Sequence, residues 1–483
     1  MQKKLLLASL CVAVFLIGAI ASPVIAVSDE ALLAFDRKVI QRIDIDKMWE
    51  HLGILTEDIG PRVMGTSEEW DAAEYIASVF ESYGYEVSFF EFPLSESRIV
   101  PEVEVLAPVE DKLFPAPLRN TGLTTGDGIT AQVVDWGDSL DPPAGASGKI
   151  ALMDSPPGAT RSTIYDDQRE AAVNAGAAAV ILIQSTDFGL GGRLSEPPSL
   201  SMIILSPSQG EELRTLVEND DVIVNIQLEA GGISSHVIAT REPKNKNKST
   251  DEVLIIGAHY DSVYGAPGAN DNASSVAVVL ELARVFANYP IDRDLRFMAF
   301  GAEEGGGGSF RYVESLSEDE KARISMINME MLGSIYEPQE KTFSATADGS
   351  TNFMTDAFVD AGARFVELVP FAGPVCCSDH VPFHVFGMPS IVYARAYPGI
   401  IPWDPEGRFG LEWWYHTPLD TLERMSAERL DEAAKIAGAA AYDIIRTDTP
   451  NLDRSAIRRD LDFTGECVCY PPAYEFGEGS CNP

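Results

Sequence analysis

The sequence predicts an α/β protein: a large domain on a central mixed, mostly parallel sheet with helices over both faces, plus a small inserted module. Three observations predict it. In the second half, near-continuous apolar runs of strand length alternate with amphipathic stretches of helix length. Between about Pro101 and Ala230 the texture changes to short strands and helices, as in "GKIALMD", "DDQREAAVNAGA", "AAVILIQS" and "LSMIILSPSQGEELRTLV", which read as a self-contained unit. The length of 483 residues, 45% of them hydrophobic, is ample for one large domain and a smaller one.

The chain opens with "MQKKLLLASLCVAVFLIGAIASPVIAVS", where Lys3 and Lys4 precede an apolar run and the small-residue pattern Val24-Ile25-Ala26. This reads as a secretory signal over residues 1–26, with a retained anchor helix as the alternative. An exported, extracytoplasmic protein is expected. From Asp29 to about Phe92 a helical period passes into strand-like alternation, interrupted by the turn and helix start "GPRVMGTSEEW". After the module, "PKNKNKST" is an exposed loop or hairpin. Then "EVLIIGAH", "DLRFMAFGA", "ISMINMEM" and "SIVYARA" read as strands. "NASSVAVVLELARVFANY", "GSFRYVESL", "TNFMTDAFVDAG" and "SAERLDEAAKIAGAAAYDIIR" read as the helices between and after them.

The formal charge is -38, and loss of residues 1–26 removes only Lys3 and Lys4, giving -40. A field of that sign repels nucleic acid and anionic membrane surfaces, so neither is an expected partner. Five cysteines follow the signal: Cys376, Cys377, Cys467, Cys469 and Cys481. An oxidising compartment permits disulfides, and the odd count leaves one thiol unpaired within a monomer. The adjacent Cys376 and Cys377 read either as a vicinal bridge or as small residues near a site. The other three lie in a turn-rich tail that they would staple.

The chemistry gathers at the ends of the strands, where open α/β sheets collect reactive groups. His259 ends one strand and is followed by Asp261; Asp271 lies in "GAPGANDNAS"; Glu303 and Glu304 follow the next strand; Glu330 ends "ISMINME"; His416 lies in "WWYHTPLDT". Singly, each is more often a satisfied polar residue than a ligand, and His51 and His236 stay in that class. Together, two imidazoles and several carboxylates at one sheet edge suit a pair of borderline metals such as zinc, with Asp271 able to bridge them. A metallohydrolase is the first reading of these residues; a redox enzyme or a metal-stabilised binding domain is the alternative.

"GAHYDS", "GANDNAS", "FGAEEGGGGS", "INMEMLG", "CSDHVPFHVFGMPS" and "YHTPLDT" resemble, in that order, the signature blocks of the M28 family of di-zinc aminopeptidases. The match spans roughly Glu252 to Arg446. The resemblance implies a three-layer zinc-exopeptidase fold and two Zn2+ per chain. One zinc would be held by His259, Asp271 and Glu330, the other by Asp271, Glu304 and His416. Glu303 would be the general base that activates a metal-bridged water, and Asp261 would orient His259. Asp379 and His380 match a block that lines the site, with His380 either a donor to the developing oxyanion or a structural residue. The Asp271-Asn272 bond would be cis. Residues 110–230 resemble an inserted protease-associated (PA) domain, so the expected organisation is peptidase segments at 27–109 and 231–450, the insert at 110–230 and a cysteine-containing tail at 451–483.

The chain departs from the family pattern in three places. Glu330 stands where most members have Asp; Gly305 to Gly308 follow the acidic pair where a larger apolar residue is usual; and the cysteines before Ser378 are adjacent. The implied activity is removal of amino-terminal, apolar residues from peptides with a free N-terminus, with Phe371, Phe383, Trp413 and Trp414 as candidates for the side-chain pocket. Carboxypeptidases or dipeptidases, glutaminyl cyclases and non-catalytic binding proteins of the same fold are the alternatives. A carboxypeptidase would want arginines facing its ligand, and Arg395 is the candidate.

Overall fold

Strands Asp294–Phe300, Val253–His259, Ile324–Glu330 and Ser390–Ala396 lie side by side and parallel at the centre of a seven-stranded sheet. The structure is a computed structural model that describes residues 29–195, 200–245, 247, 249–339, 341–365, 374–375, 377–396 and 411–447. Antiparallel strands flank the parallel centre: Ile233–Arg241 and then Glu86–Pro93 on one side, Lys341–Ala345 on the other. The sheet is therefore mixed with a parallel centre, as the sequence predicts.

Successive side chains on a strand point to opposite faces, so a strand buried on both sides must be apolar throughout. Val253–His259 is buried at every position. Leu254, Ile256 and Ala258 pack on one face with Phe297, Ala299, Ile327 and Met329, against helices Ser67–Ser82, Ser274–Phe286, Phe353–Phe365 and Ala427–Ile445. Val253 and Ile255 pack on the other with Met298, Phe300 and Met326, against helices Gly308–Ser315 and His380–Val385. Three layers result. Phe383, expected in a substrate pocket, is fully buried in this second core.

Residues between Pro93 and Ile233 build a second sheet of eight strands. Its parallel centre is Ile129–Gly137, Ile150–Asp154, Ala179–Ile183 and Ser201–Leu205. Ile150, Leu152, Ile181 and Ile183 fill one core, and Ala151, Met153, Val180 and Leu182 fill another on the opposite face. The sheet begins earlier than the expected boundary at residue 110, because Ile99–Ala107 pairs along its length with Ile223–Ala230. Alternation in "VPEVEV" is the signal for that strand. The proposed signal, Phe371, Cys376 and the tail with Cys467, Cys469 and Cys481 lie outside the described residues.

Gly257 shows how tightly the central strands fit. A Cβ there would lie 2.5 Å from the Phe300 ring and 2.8 Å from the Met298 carbonyl oxygen. Glycine inside a strand marks such a close approach. Gly257→Ala is expected to cost about 1–3 kcal/mol, the usual range for overpacking a filled core. A lowered thermal midpoint in circular dichroism checks this, and an unchanged midpoint contradicts it.

Candidate metal centre

Parallel strands put all their carboxyl ends on one edge, and here those ends carry the polar residues. His259 closes its strand opposite Phe300, and Glu330 closes the strand on the other side. Glu303 and Glu304 follow Phe300 after a single turn in which Ala302 is left-handed (φ 57°). Asp271 comes from the loop after His259, and His416 from a turn far downstream, itself left-handed at φ 58°.

These residues converge. His259 Nε2 lies 3.3 Å from Asp271 Oδ1 and 3.1 Å from Glu330 Oε1. His416 Nε2 lies 3.0 Å from both Asp271 Oδ2 and Glu304 Oε1. Asp271 thus presents one oxygen to each imidazole. Ligand-type atoms of His259, Asp271 and Glu330 fall within 4.8 Å of one another, as do those of Asp271, Glu304 and His416, and those of His259, Glu303 and Glu304. The Asp271-Asn272 peptide is cis.

The electrostatics of this edge fit a cation. Burial opposes charge on His259, yet the Glu330 and Glu303 carboxylates hold its pKa well above the ordinary value. Burial likewise opposes the His416 imidazolium, but Glu304 and Asp271 push its pKa up to about 10. Burial alone would raise the Asp271 carboxyl; the two imidazoles hold it well below its usual range. Asp271 Oδ2 and His416 Nε2 also face one another without hydrogen-bond geometry. Ligand atoms crowded together but not mutually hydrogen-bonded are what a shared metal ion leaves.

The supporting residues are buried. Arg62, fully enclosed, donates to the carbonyls of Tyr260, Leu55, Gly60, Pro267 and Gly268, clasping both ends of the loop that leads to Asp271. Asp420 accepts from the amides of Asn270 (2.9 Å) and Asp271 (3.0 Å). Asn272 donates to the Met329 carbonyl and accepts from the Met331 amide, tying the Asp271 loop to the strand that delivers Glu330. Ser378 donates to Glu330 Oε2 at 2.8 Å, which leaves Oε1 for His259.

The other expected residues divide. The Asp261 carboxylate accepts from the amides of Glu303 and Glu304, each at 3.0 Å. His259 Nδ1 lies 3.1 Å from the Asp261 carbonyl oxygen and 3.5 Å from Asp261 Oδ1. Asp379 is buried beside Glu303 and Glu330, and burial pushes its pKa up to about 7. His380 is fully buried, with Nε2 2.6 Å from the Val375 carbonyl oxygen. Arg395 is buried on the carbonyls of Leu332 and Arg429. His51 meets the Tyr75 hydroxyl, and His236 accepts from the Gly301 amide at 3.0 Å. Sequence reasoning missed Arg62, Asp420 and Tyr415. The Tyr415 ring stacks on His416 at 3.7 Å, and burial among Asp271, Glu304 and Glu303 keeps its hydroxyl protonated.

With this geometry in place, the comparisons decide the family. Residues 236–441 match the sequence profile of Peptidase family M28. The aminopeptidase YwaD of Bacillus subtilis is 32% identical over 414 residues, covering 81% of this chain and 83% of that protein. The chain belongs to peptidase family M28. The probable lipoprotein aminopeptidase LpqL of Mycobacterium tuberculosis is 28% identical, covering 84% of this chain and 85% of its own. The crystal structure of BSAP, a zinc aminopeptidase from Bacillus subtilis, superposes with a TM-score of 0.57 at 29% identity, over 85% of this chain and 98% of that one. An aminopeptidase from Aneurinibacillus sp. strain AM-1 gives 0.52 at 32% identity, over 85% and 96%. The M28 profile begins on the strand Ile233–Arg241, so the second sheet lies outside it.

His236 supplies a pH test of this scaffold. Burial pushes its pKa from 6.5 down to about 4, so the folded protein keeps the ring neutral where the unfolded chain takes up a proton. Protons then favour unfolding from pH 6.5 down to about 4, by about 1.4 kcal/mol per pH unit, and have no effect through this group above 6.5. His236→Gln, which keeps an acceptor for Gly301, is expected to lose stability less steeply than the parent over that window. Denaturant titrations at successive pH values check this; equal slopes contradict it.

Proposed function

We infer that the protein is a zinc-dependent, extracytoplasmic aminopeptidase that removes amino-terminal residues from peptides. The observation that carries this reading is the placement of Asp271 between His259 and His416, with Glu330 and Glu304 on the outer sides and Glu303 beside them. We assign two zinc positions: one held by His259, Asp271 and Glu330, the other by Asp271, Glu304 and His416. Zinc bound there supplies Lewis-acid polarisation of the scissile carbonyl and a water acidified toward neutral pH.

The chain's own residues do the rest. Glu303 is the general base. Burial raises its pKa above the ordinary carboxylate value against the pull of His259, with Glu304, Asp379 and Glu330 adding to the rise. It takes a proton from the attacking water and returns it to the leaving amine. Tyr415 offers a protonated hydroxyl among the same carboxylates, where a carbonyl oxygen gaining charge would need a donor. His380, turned to Val375, keeps a structural role in this reading.

The acidic surplus favours a free ammonium group on the substrate, and apolar first residues remain the expected class. Trp413, at the surface beside the turn that delivers His416, is a candidate wall of that pocket; Trp414 is buried behind it against Tyr336. A carboxypeptidase reading loses its arginine, since Arg395 is committed to main-chain carbonyls elsewhere. At Gly305 (φ 90°) a Cβ would meet nothing within 4 Å, so the wall beside Glu303 is low there. We take the second sheet to be a PA domain beginning at Ile99. Among the described residues no helix is long and apolar enough to cross a membrane. The extracytoplasmic placement rests on the amino-terminal signal pattern.

Glu303→Gln is expected to lower kcat by about 10²- to 10⁴-fold, the usual worth of a positioned base, with zinc content unchanged. Metal analysis and release of a chromogenic amine from unblocked and amino-blocked substrates, with and without a chelator, check this. Undiminished turnover by the variant, or equal cleavage of blocked peptides, overturns the reading.

A further inference from the structure

The acidic pair is held by its backbone before its side chains do anything. Gly301 to Glu304 are four consecutive residues, and three of their four amides are taken by buried side chains from elsewhere in the chain. His236 accepts from Gly301, and Asp261 accepts from Glu303 and Glu304. The remaining amide, that of the left-handed Ala302, faces the Glu69 carboxyl and favours its charge.

Glu69 lies in the first turn of helix Ser67–Ser82, more than two hundred positions before the base. It is 1% exposed. Its Oε2 accepts from the Gly65 amide at 2.6 Å and its Oε1 from Ser234 Oγ at 2.5 Å. A Cβ on Gly301 would lie 2.9 Å from Glu69 Oε1 and 2.3 Å from the Ser235 carbonyl oxygen, so glycine lets the carboxylate approach the turn.

A simpler role is open to Glu69 by its spacing, and the structure does not follow it. Thr66-Ser67-Glu68-Glu69 has the spacing of a capping box, in which the third helical residue reaches back to the amide of the capping residue. Ser317 and Glu320 form such a box at the surface of this same protein, with both reciprocal bonds present. Thr66 does accept from the Glu69 amide, but the Glu69 carboxylate passes by Thr66 and crosses to Gly65, Ser234 and the turn at Gly301. Burying a carboxylate there costs free energy that a surface capping box avoids. No lysine or arginine is among the groups that bond it.

We propose that Glu69 is a positioning residue for the base Glu303: from the amino-terminal helix it fixes the left-handed turn at Ala302, and so the direction in which Glu303 leaves the strand. This rests on the reading of Glu303 given above. A base displaced by about 1 Å can lose two orders of magnitude in rate, so a backbone anchor one residue away has leverage on kcat. Glu69 touches neither substrate nor metal position in this assignment.

The test uses the full-length, zinc-loaded protein. Glu69→Ala is expected to lower kcat by at least about tenfold, with KM and zinc content within about twofold of the parent. Glu69→Gln keeps an acceptor and a polar contact and should restore most of the lost kcat. Thr66→Ala, which removes the cap but not the contact of Glu69 with the turn, should lower the thermal midpoint with parental kcat. Parental kcat in Glu69→Ala, or a kcat loss that follows zinc loss, overturns the proposal. If Glu69→Ala does not fold, Ser234→Ala replaces it. Loosening the carboxylate from one side, it should lower kcat at least about threefold with KM unchanged, and parental kcat in it overturns the proposal equally. A Glu303→Gln control separates the two readings: if it retains turnover, the base assignment has failed, whereas its inactivity beside a fully active Glu69→Ala sinks the positioning role alone.

Discussion

An excess of negative charge at one sheet edge governs this structure. Asp261, Asp271, Glu303, Glu304, Glu330 and Asp379 meet there around the imidazoles of His259 and His416, all at least partly buried. Carboxylates in such surroundings need cations, because burial penalises each charge and the charges repel one another. One compensating cation is built in. Arg62 is fully buried, and although burial pushes its pKa down to about 10, Asp261, Asp420 and Asp271 favour its charge. It remains a guanidinium at neutral pH, fixed behind the Asp271 loop. The space between Asp271 and the two imidazoles suits a metal ion, while the carboxylates of Asp261 and Asp420 hold backbone amides instead.

Backbone strain gathers at the same place. Ala302, Met331, Ser378 and His416 are left-handed without being glycine, and each is, or adjoins, a residue of the centre. Such conformations cost about 1 kcal/mol or more apiece and persist where surrounding contacts over-determine them. The contacts are visible: Met331 donates to Asn272, and Ser378 Oγ is shared between Asn328 and Glu330. The Ser378 bond also accounts for the longer side chain at position 330. One Glu330 oxygen is retained by Ser378 while the other reaches His259, so the extra methylene is taken up by a second anchor.

The parallel strands and the polar residues at their ends were legible because buried strands are continuous apolar runs, and a run that stops in His or Glu stands out. Strand Ile233–Arg241 was not legible: Ser234, Ser235, His236 and Thr240 break its apolar pattern, though His236 and the serines are buried. Arg62, Asp420 and Glu69 escaped for a different reason. Arg62 and Asp420 act on main-chain groups far away in sequence, and an amide or carbonyl leaves no mark on residue identity; Glu69 reaches a distant serine and glycine, which carry no chemistry of their own. His236 reads as an ordinary polar residue rather than a ligand, and its Nδ1 accepts from the first amide of the turn that carries Glu303.

The place of the second sheet explains how so large an excursion coexists with so exacting a centre. Glu86–Pro93 and Ile233–Arg241 are antiparallel neighbours in register, with Pro93 opposite Ile233 and the Leu94 amide bonded to the Gly232 carbonyl. Residues 94–232 therefore stand where a hairpin turn would, and both ends of the excursion are closed by the sheet itself. Loop-closure cost grows only with the logarithm of length, so the core tolerates so long an excursion at a site already paired. The excursion still returns to the sheet edge where the carboxylates and imidazoles meet. Phe188 packs edge-on to Trp413 at 6.3 Å, and Leu190 sits where a side chain on Gly265 would collide with it. The same loop thus touches the segment between His259 and Asp271 and the turn that delivers His416, so the second sheet braces the centre from outside while Arg62 and Glu69 hold it from within.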